Sequence, residues 1–278
     1  MGYLLLAIAS SAMVSVCMRL SEMKIKHNIA MLVMNYLMCT CLAAVYAGLD
    51  NLMDFGPRLH ITAGMGVFNG ILYLVSFVLL QVNVRRNGVV LSSTFMKLGL
   101  LVTMVVSVCF YREVPDLPQI VGFLLAVAAI ILINYRKEAT AAGYKSGLIL
   151  LLLCGGMADA MSKIFEESGV PGMGDGFLFF TFFAALGLCF ALMLLKGQWP
   201  GKWEILFGLL IGIPNLFSSK FLLRALASVP AVIAYPVYSV AGILLVTTAG
   251  VLLFRERLEK HQWVALGVIL AALVLLNI

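Results

Sequence analysis

The chain has 278 residues, is 63% hydrophobic and only 12% charged, and carries a formal net charge of +6 with a mean hydropathy of +1.06. A soluble domain of this length needs far more charge to solvate its surface, so a soluble enzyme is excluded. No basic patch interleaved with aromatic residues is present, which excludes nucleic acid as a partner.

A hydrocarbon core roughly 30 Å thick needs about 20 apolar residues per crossing helix. Apolar runs of that kind occur at about 2–20, 28–48, 59–82, 88–110, 118–135, 147–165, 177–195, 203–225, 229–252 and 262–278. They use nearly the whole chain, and predict an all-α integral membrane protein of ten transmembrane helices. The first run lacks a basic start, and Arg19 follows it instead of preceding it, so it reads as a retained helix and not as a signal peptide. Connections after odd-numbered runs carry Lys24, Lys26, Arg85, Arg86, Arg136, Lys137, Lys145, Lys196, Lys202, Arg255, Arg257 and Lys260. Connections after even-numbered runs carry Arg58 and Arg112 beside Asp50, Asp54, Asp116, Glu166, Glu167 and Asp175. By the positive-inside rule the odd connections are cytoplasmic and both termini face outward. Trp199, Trp203 and Trp263 lie beside the basic loops, as interfacial anchors do.

The cysteines (Cys17, Cys39, Cys41, Cys109, Cys154, Cys189) sit inside apolar runs without C-x-x-C spacing, which favours packing over disulfide or metal chemistry. His27, His60 and His261 lie near run ends in no ligand-like cluster. No metal site, no cofactor and no catalytic residue is expected: H-E-x-x-H, G-x-S-x-G and paired intramembrane aspartates are all absent from the sequence.

Sliding the chain by 143 positions lays "YREVPDLPQIVGFLLAVAAIILIN" (111–134) on "FRERLEKHQWVALGVILAALVLLN" (254–277). Eight positions within 112–134 are identical, including Arg112/Arg255, Glu113/Glu256, Gln119/Gln262 and Asn134/Asn277. Val89/Val232, Gly99/Gly242, Leu101/Leu244 and Val108/Val251 also match upstream. The repeat unit contains five helices, so residues 1–143 and 144–278 form two copies, and an odd count inserts the second upside down. Inverted repeats with a site near the midplane are characteristic of secondary transporters.

Two copies of five helices, each ending in an aromatic-Arg-Glu turn before a Gln-led final helix, resemble the EamA-type permeases of the drug/metabolite transporter (DMT) superfamily. The stretch 224–276, with Pro236 early in its helix, is similar to the second EamA repeat. The first copy departs from it, with Ser93 where that proline aligns. The charge count departs as well, since the family's well-studied members are described with cytoplasmic termini. The resemblance implies a multi-pass permease of the cell (inner) membrane.

Polar residues found in both copies serve the shared architecture, and those found in one copy are free to serve a substrate. Arg112-Glu113 and Arg255-Glu256 read as turn structure. Asn69 and Asn215 correspond if a gap is allowed, and interhelical hydrogen bonding is their default role.

The unmatched set begins with Lys97, which aligns with Val240. Counted from Gly88, at about 1.5 Å per residue, it lies roughly 14 Å deep, too deep to snorkel. An intramembrane ionisable residue is a functional-site hypothesis by default. Ser93 shares its face one turn earlier. In the sixth run Asp159 and Lys163 are spaced i, i+4, which permits an intrahelical ion pair. Asp159 is the acid placed well inside a span, and so the leading partner for Lys97 or for a coupling proton. In the eighth run Asn215 and Ser219 share the face expected to line a cavity, while Lys220 and Arg224 share the opposite one. In the ninth, Tyr235, Tyr238 and Ser239 fall on one face. The expected substrate-binding set is therefore Lys97, Ser93, Asn69, Asp159, Lys163, Asn215, Ser219, Tyr235, Tyr238 and Ser239.

This set suits a small polar metabolite with an anionic group, such as an amino acid or organic acid, moved by alternating access. Export of drugs or other amphipathic compounds is the alternative, and a non-transporting membrane receptor a third. The expected partners are the small-molecule substrate, the lipid bilayer and a coupling proton. Substrate identity, transport direction, coupling ion and oligomeric state are open at this stage.

Overall fold

A computed structural model describes residues 1–21, 24–48, 52, 56–87, 89–133, 145–254 and 259–277. Gly88, Asn134, the Arg255-Glu256 turn and the loop residues Asp50, Asp54, Arg136, Lys137 and Arg257 lie outside them. The regular elements among the described residues are helices: α1 (Gly2–Ser21), α2 (Asn28–Ala47), α3 (Pro57–Asn87), α4 (Val89–Lys97), α5 (Leu100–Tyr111), α6 (Leu117–Ile133), α7 (Lys145–Ser168), α8 (Gly174–Leu195), α9 (Lys202–Leu226), α10 (Ala231–Phe254) and α11 (Lys260–Leu276). Eight stretches are long and apolar enough to cross a membrane, with α4 and α5 contributing one of them as Ser92–Tyr111. The shorter apolar helices α6 and α11 complete the expected ten.

Two elements differ from the sequence reading. The fourth run is not one helix but two, interrupted at Leu98–Gly99. α3 runs on past residue 82 to Asn87 and has 31 residues, roughly 46 Å at 1.5 Å per residue. Its polar end is satisfied within the protein. The Asn83 amide donates to the carbonyls of Leu79 (2.8 Å) and Gly147 (2.9 Å), and the Asn87 amide donates to Asn83 Oδ1 (2.9 Å).

The chain forms two compact units, Met1–Leu74 with Ile164–Ala227, and Val75–Lys163 with Ser228–Ile278. Each draws helices from both sequence copies, so the compact units do not follow the repeat boundary at 143/144.

In the first unit, two Gly-x-x-x-Gly pairs bring backbones together. A Cβ on Gly66 would lie 2.8 Å from the Phe177 carbonyl, and one on Gly70 would lie 2.7 Å from Ala184 Cβ, both on α8. A Cβ on Gly208 would lie 2.6 Å from the Met31 carbonyl, and one on Gly212 would lie 2.7 Å from the Asn35 carbonyl, both on α2. The third helix of each copy thus packs through small residues on the second helix of the other, as lipid-embedded helices do. In the second unit the final helices of the two copies meet. Gly122 on α6 faces Ala272 and Leu276 on α11, and the repeat-matched Ala129 and Ala272 are both fully buried.

The loop end of the first unit is organised by Glu204, which is buried in the first turn of α9. Its Oε1 accepts hydrogen bonds from the backbone N–H groups of Lys26 (2.6 Å) and His27 (3.3 Å), and its Oε2 accepts one from Gly201 (3.1 Å). One carboxylate therefore caps α9 and fixes the entry to α2, where a negative group at a helix N-terminus is also favoured by the helix dipole. Beside it, Lys24 sits over the Trp203 ring, 4.3 Å from its centroid.

Removing this acceptor set by Glu204→Ala should lower stability by on the order of 2 kcal/mol, with Glu204→Gln losing less because it keeps one oxygen. Thermal unfolding of the detergent-purified chain checks this; an unshifted Glu204→Ala would refute the capping role.

Candidate functional site

The break between α4 and α5 sits directly after Lys97 and uses no proline. The bonding changes there from the α-helical to a 3₁₀-type pattern. Gly99 N–H donates to the Met96 carbonyl (3.1 Å), Leu101 N–H to Leu98 (2.9 Å) and Val102 N–H to Gly99 (2.9 Å). The carbonyls of Phe95 and Lys97 drop out of the ladder that crosses the break. A mid-helix 3₁₀ stretch of this kind is typical of a functional hinge. It ends α4 at the lysine, so the Lys97 ammonium lies at a helix C-terminus, where the dipole favours a cation.

The break is held by a contact between glycines. A Cβ on Gly99 would lie 2.9 Å from the Gly156 nitrogen on α7, and a Cβ on Gly156 would collide with the Gly99 carbonyl and with Val102. Gly242, the repeat counterpart of Gly99, has nothing within 4 Å of its Cβ position. The matched glycines thus occupy unlike settings.

Gly156 lies one turn before Asp159, so the glycine contact brings Lys97 within electrostatic reach of Asp159. The two do not close to a salt bridge. Both side chains are exposed although protein atoms crowd around them. Tyr235 on α10 is buried at 3% exposure, and its hydroxyl donates to the Asp159 backbone carbonyl at 2.6 Å. It therefore braces the helix turn that carries the acid. Ser93, Tyr238 and Ser239 belong to the same unit and are partly exposed.

Lys163 is a correction. It does not pair with Asp159 four residues earlier; its ammonium meets Glu113 Oε1 at 2.7 Å, with the lysine side chain 3% exposed. Glu113 Oε2 also accepts the backbone N–H of Val232 at 3.1 Å. The lysine further lies 5.7 Å from the Tyr111 ring centroid. The Arg112-Glu113 turn thereby ties α7 to the start of α10, and Arg112 takes the left-handed conformation (φ 55°) that such a turn requires. Lys163 is scaffold.

Asn69, Asn215 and Ser219 belong to the first unit. Asn215 Nδ2 donates to Asn35 Oδ1 (3.3 Å) and to Cys39 Sγ (3.6 Å), and the Cys39 thiol donates to the Gly212 carbonyl (3.2 Å). Pro214 next to this knot supplies no N–H to the α9 ladder. Ser219 Oγ donates back to the Asn215 carbonyl (3.3 Å), so this face is tied to α2 and to its own backbone. Asn69 is 1% exposed, and its Oδ1 has no hydrogen-bond partner among the described residues. Sequence reasoning missed the bracing role of Glu113 and the two Gly-x-x-x-Gly pairs, though both signals were there to read: a turn acid kept in both copies and glycines spaced i, i+4.

Comparison with known proteins agrees with this architecture. The EamA-like transporter family matches residues 1–135, and the Small Multidrug Resistance protein family matches residues 177–269. An uncharacterized protein of Haemophilus influenzae is 27% identical over 207 residues, which cover 72% of this chain and 69% of that one. An uncharacterized membrane protein of Bacillus subtilis is 38% identical over 58 residues, 21% of this chain and 49% of that one. A solved crystal structure superposes with a TM-score of 0.78 at 14% identity, covering 100% of this chain and 98% of the other, and so shares the fold.

Gly156→Ala should cost about 1–3 kcal/mol through overpacking, because backbone and a branched side chain stand where its Cβ would go. Gly155→Ala should be nearly neutral, since nothing lies within 4 Å of that position. Unfolding of the two variants in detergent checks this, and equal stabilities would remove the glycine contact from the argument. Breaking the buried pair by Lys163→Met alone should cost about 3–5 kcal/mol, while Lys163→Met with Glu113→Gln should recover part of it in a double-mutant cycle.

Proposed function

Because residues 1–135 match the EamA-like transporter family, we propose that the chain is a permease of the drug/metabolite transporter type, a secondary active transporter of a small polar metabolite bearing an anionic group. An amino acid or organic acid meets that description, and the proposed location is a bacterial-type inner membrane. The observation that carries this reading is the broken helix ending at Lys97, held by Gly99 on Gly156 within electrostatic reach of Asp159. An ammonium at the end of a discontinuous helix attracts an anionic substrate. The unwound carbonyls beside it offer acceptors for the substrate's own donors, as half-helix ends do in transporters. Asp159 supplies the opposite charge and is the group available to carry a coupling proton. A substrate carboxylate arriving at Lys97 competes with Asp159 for the same cation, which links substrate binding to the proton affinity of the acid.

Alternating access is supported by the duplication itself. Inverted copies let the opening of one and the closing of the other be one motion. The unlike settings of Gly99 and Gly242 are what two copies in opposite phases require. A second reading is export of amphipathic compounds, favoured by the Small Multidrug Resistance match over residues 177–269. Lipophilic cations are then the substrates, and a central ammonium works against them.

Proteoliposomes holding the purified chain should show counterflow of at least one amino acid or organic acid, with Lys97→Ala reducing it by about tenfold or more, equivalent to 1.4 kcal/mol or more. Lys97→Arg should retain part of the activity. Undiminished uptake in Lys97→Ala overturns the assignment of Lys97, and uptake confined to lipophilic cations selects the export reading.

A further inference from the structure

A second charged recess lies in the first unit and does not involve Lys97. A cavity of about 370 Å³ is lined by Tyr3, Glu166, Asp175, Lys220 and Arg224, together with apolar and glycine residues. It collects charges of both signs from α7, α8 and α9, beside the Tyr3 ring of α1. Lys220 is 4% exposed. Its ammonium meets Asp175 Oδ1 at 2.7 Å and lies 3.4 Å from the Tyr46 ring centroid. A smaller cavity of about 90 Å³ shares Asp175 and Gly172 with the first and has Tyr46 in its wall. The Lys220–Asp175 pair on Tyr46 is therefore the fixed partition between two hollows.

Arg224 is placed differently. It sits four residues after Lys220 on the same helix face and is exposed to the cavity. It has the Tyr3 ring 5.9 Å from its Cζ and no carboxylate within salt-bridge distance among the described residues. A guanidinium lying on an aromatic face beside a hollow is set to take an acidic group in two parallel hydrogen bonds. Glu166 and the outer oxygen of Asp175 supply negative charge in the same cavity.

We propose that this cavity is a binding site for a small zwitterion, with its acidic group on Arg224 and its ammonium facing Glu166 and Asp175. The Lys220–Asp175 contact neutralises one charge of each sign in the cavity wall, so that selectivity falls on Arg224 and Glu166. A purely structural ion pair would need neither the hollow nor the additional arginine and glutamate that line it. Two sources share the ligand chemistry, a free amino acid and the headgroup of a zwitterionic phospholipid.

The test is calorimetric titration of the full-length chain in an uncharged detergent. The probes are L-serine and glycerophosphoethanolamine, with ethanolamine and glycerol phosphate as single-charge fragments. At least one zwitterion should bind, and each fragment should bind about tenfold more weakly or not at all. Arg224→Gln and Glu166→Gln, both at exposed positions, should each weaken zwitterion binding by about tenfold with an unchanged unfolding temperature. Binding of serine identifies the free amino acid as source, and binding of glycerophosphoethanolamine alone identifies the lipid headgroup. In Lys97→Ala the component sensitive to Arg224→Gln should remain, which separates this site from the transport reading. The proposal is overturned by absence of zwitterion binding, by binding insensitive to both substitutions, or by equal binding of the single-charge fragments.

Discussion

In a bilayer the lipid tails are as apolar as the side chains, so burial gives helices little reason to associate, and close packing of backbones must supply it. The glycines at 66, 70, 208 and 212 meet this constraint in the first unit, and those at 99, 122 and 156 meet it in the second. Their absent side chains let one helix reach the carbonyls of the next. The position of every functional side chain follows from these contacts. Lys97 faces Asp159 because Gly99 sits on Gly156, and Asn215 reaches Asn35 because Gly212 lies against the same turn of α2.

The charges divide by how they are neutralised. Lys163 and Lys220 are each held by a carboxylate at 2.7 Å and are almost fully buried. An unpaired charge in either place would be costly, and the pairs join helix to turn or helix to helix. Lys97 and Asp159 attract one another without such closure, and both are exposed on the chain's own surface. A pair already locked at bonding distance has little left to offer a ligand. Two opposite charges held apart can each take a different partner, and so the separation of Lys97 from Asp159 fits it for exchange in a way that the shorter contact of Lys163 does not.

The order in which these features could be read from the sequence has a physical basis. Ten apolar runs, their duplication and the family resemblance were legible because each rests on many residues acting together. The placement of Lys97 inside an apolar run was legible from the run alone. The break after it was not, since the departure from helical bonding at Leu98–Gly99 carries no proline and depends on α7 being close enough for Gly156 to touch. The partner of Lys163 was hidden for a similar reason. Spacing along α7 offers Asp159, but Glu113 comes from a turn 50 positions away in sequence, and no periodicity reports that approach. The sieve of matched against unmatched residues does not separate the two members of this pair. Glu113 is repeated and its lysine partner is not, so an architectural bond joined one member of each class.

Asymmetry between the copies is where the repeat becomes informative about mechanism. Identical halves in identical settings would give a symmetric object with no preferred phase. Here Gly99 is closed on its neighbour while Gly242 is open, and Lys97 stands in one copy opposite Val240 in the other. The first difference is one that a conformational cycle can invert, because both positions are glycine and either can accept a close backbone. The second is fixed in the sequence, so the charge remains at the fourth helix through every phase. Under the proposed alternating-access cycle, a carrier built this way would exchange which copy is closed while keeping one cation at the substrate. The matched glycines would then set the motion, and the unmatched lysine would set what is moved.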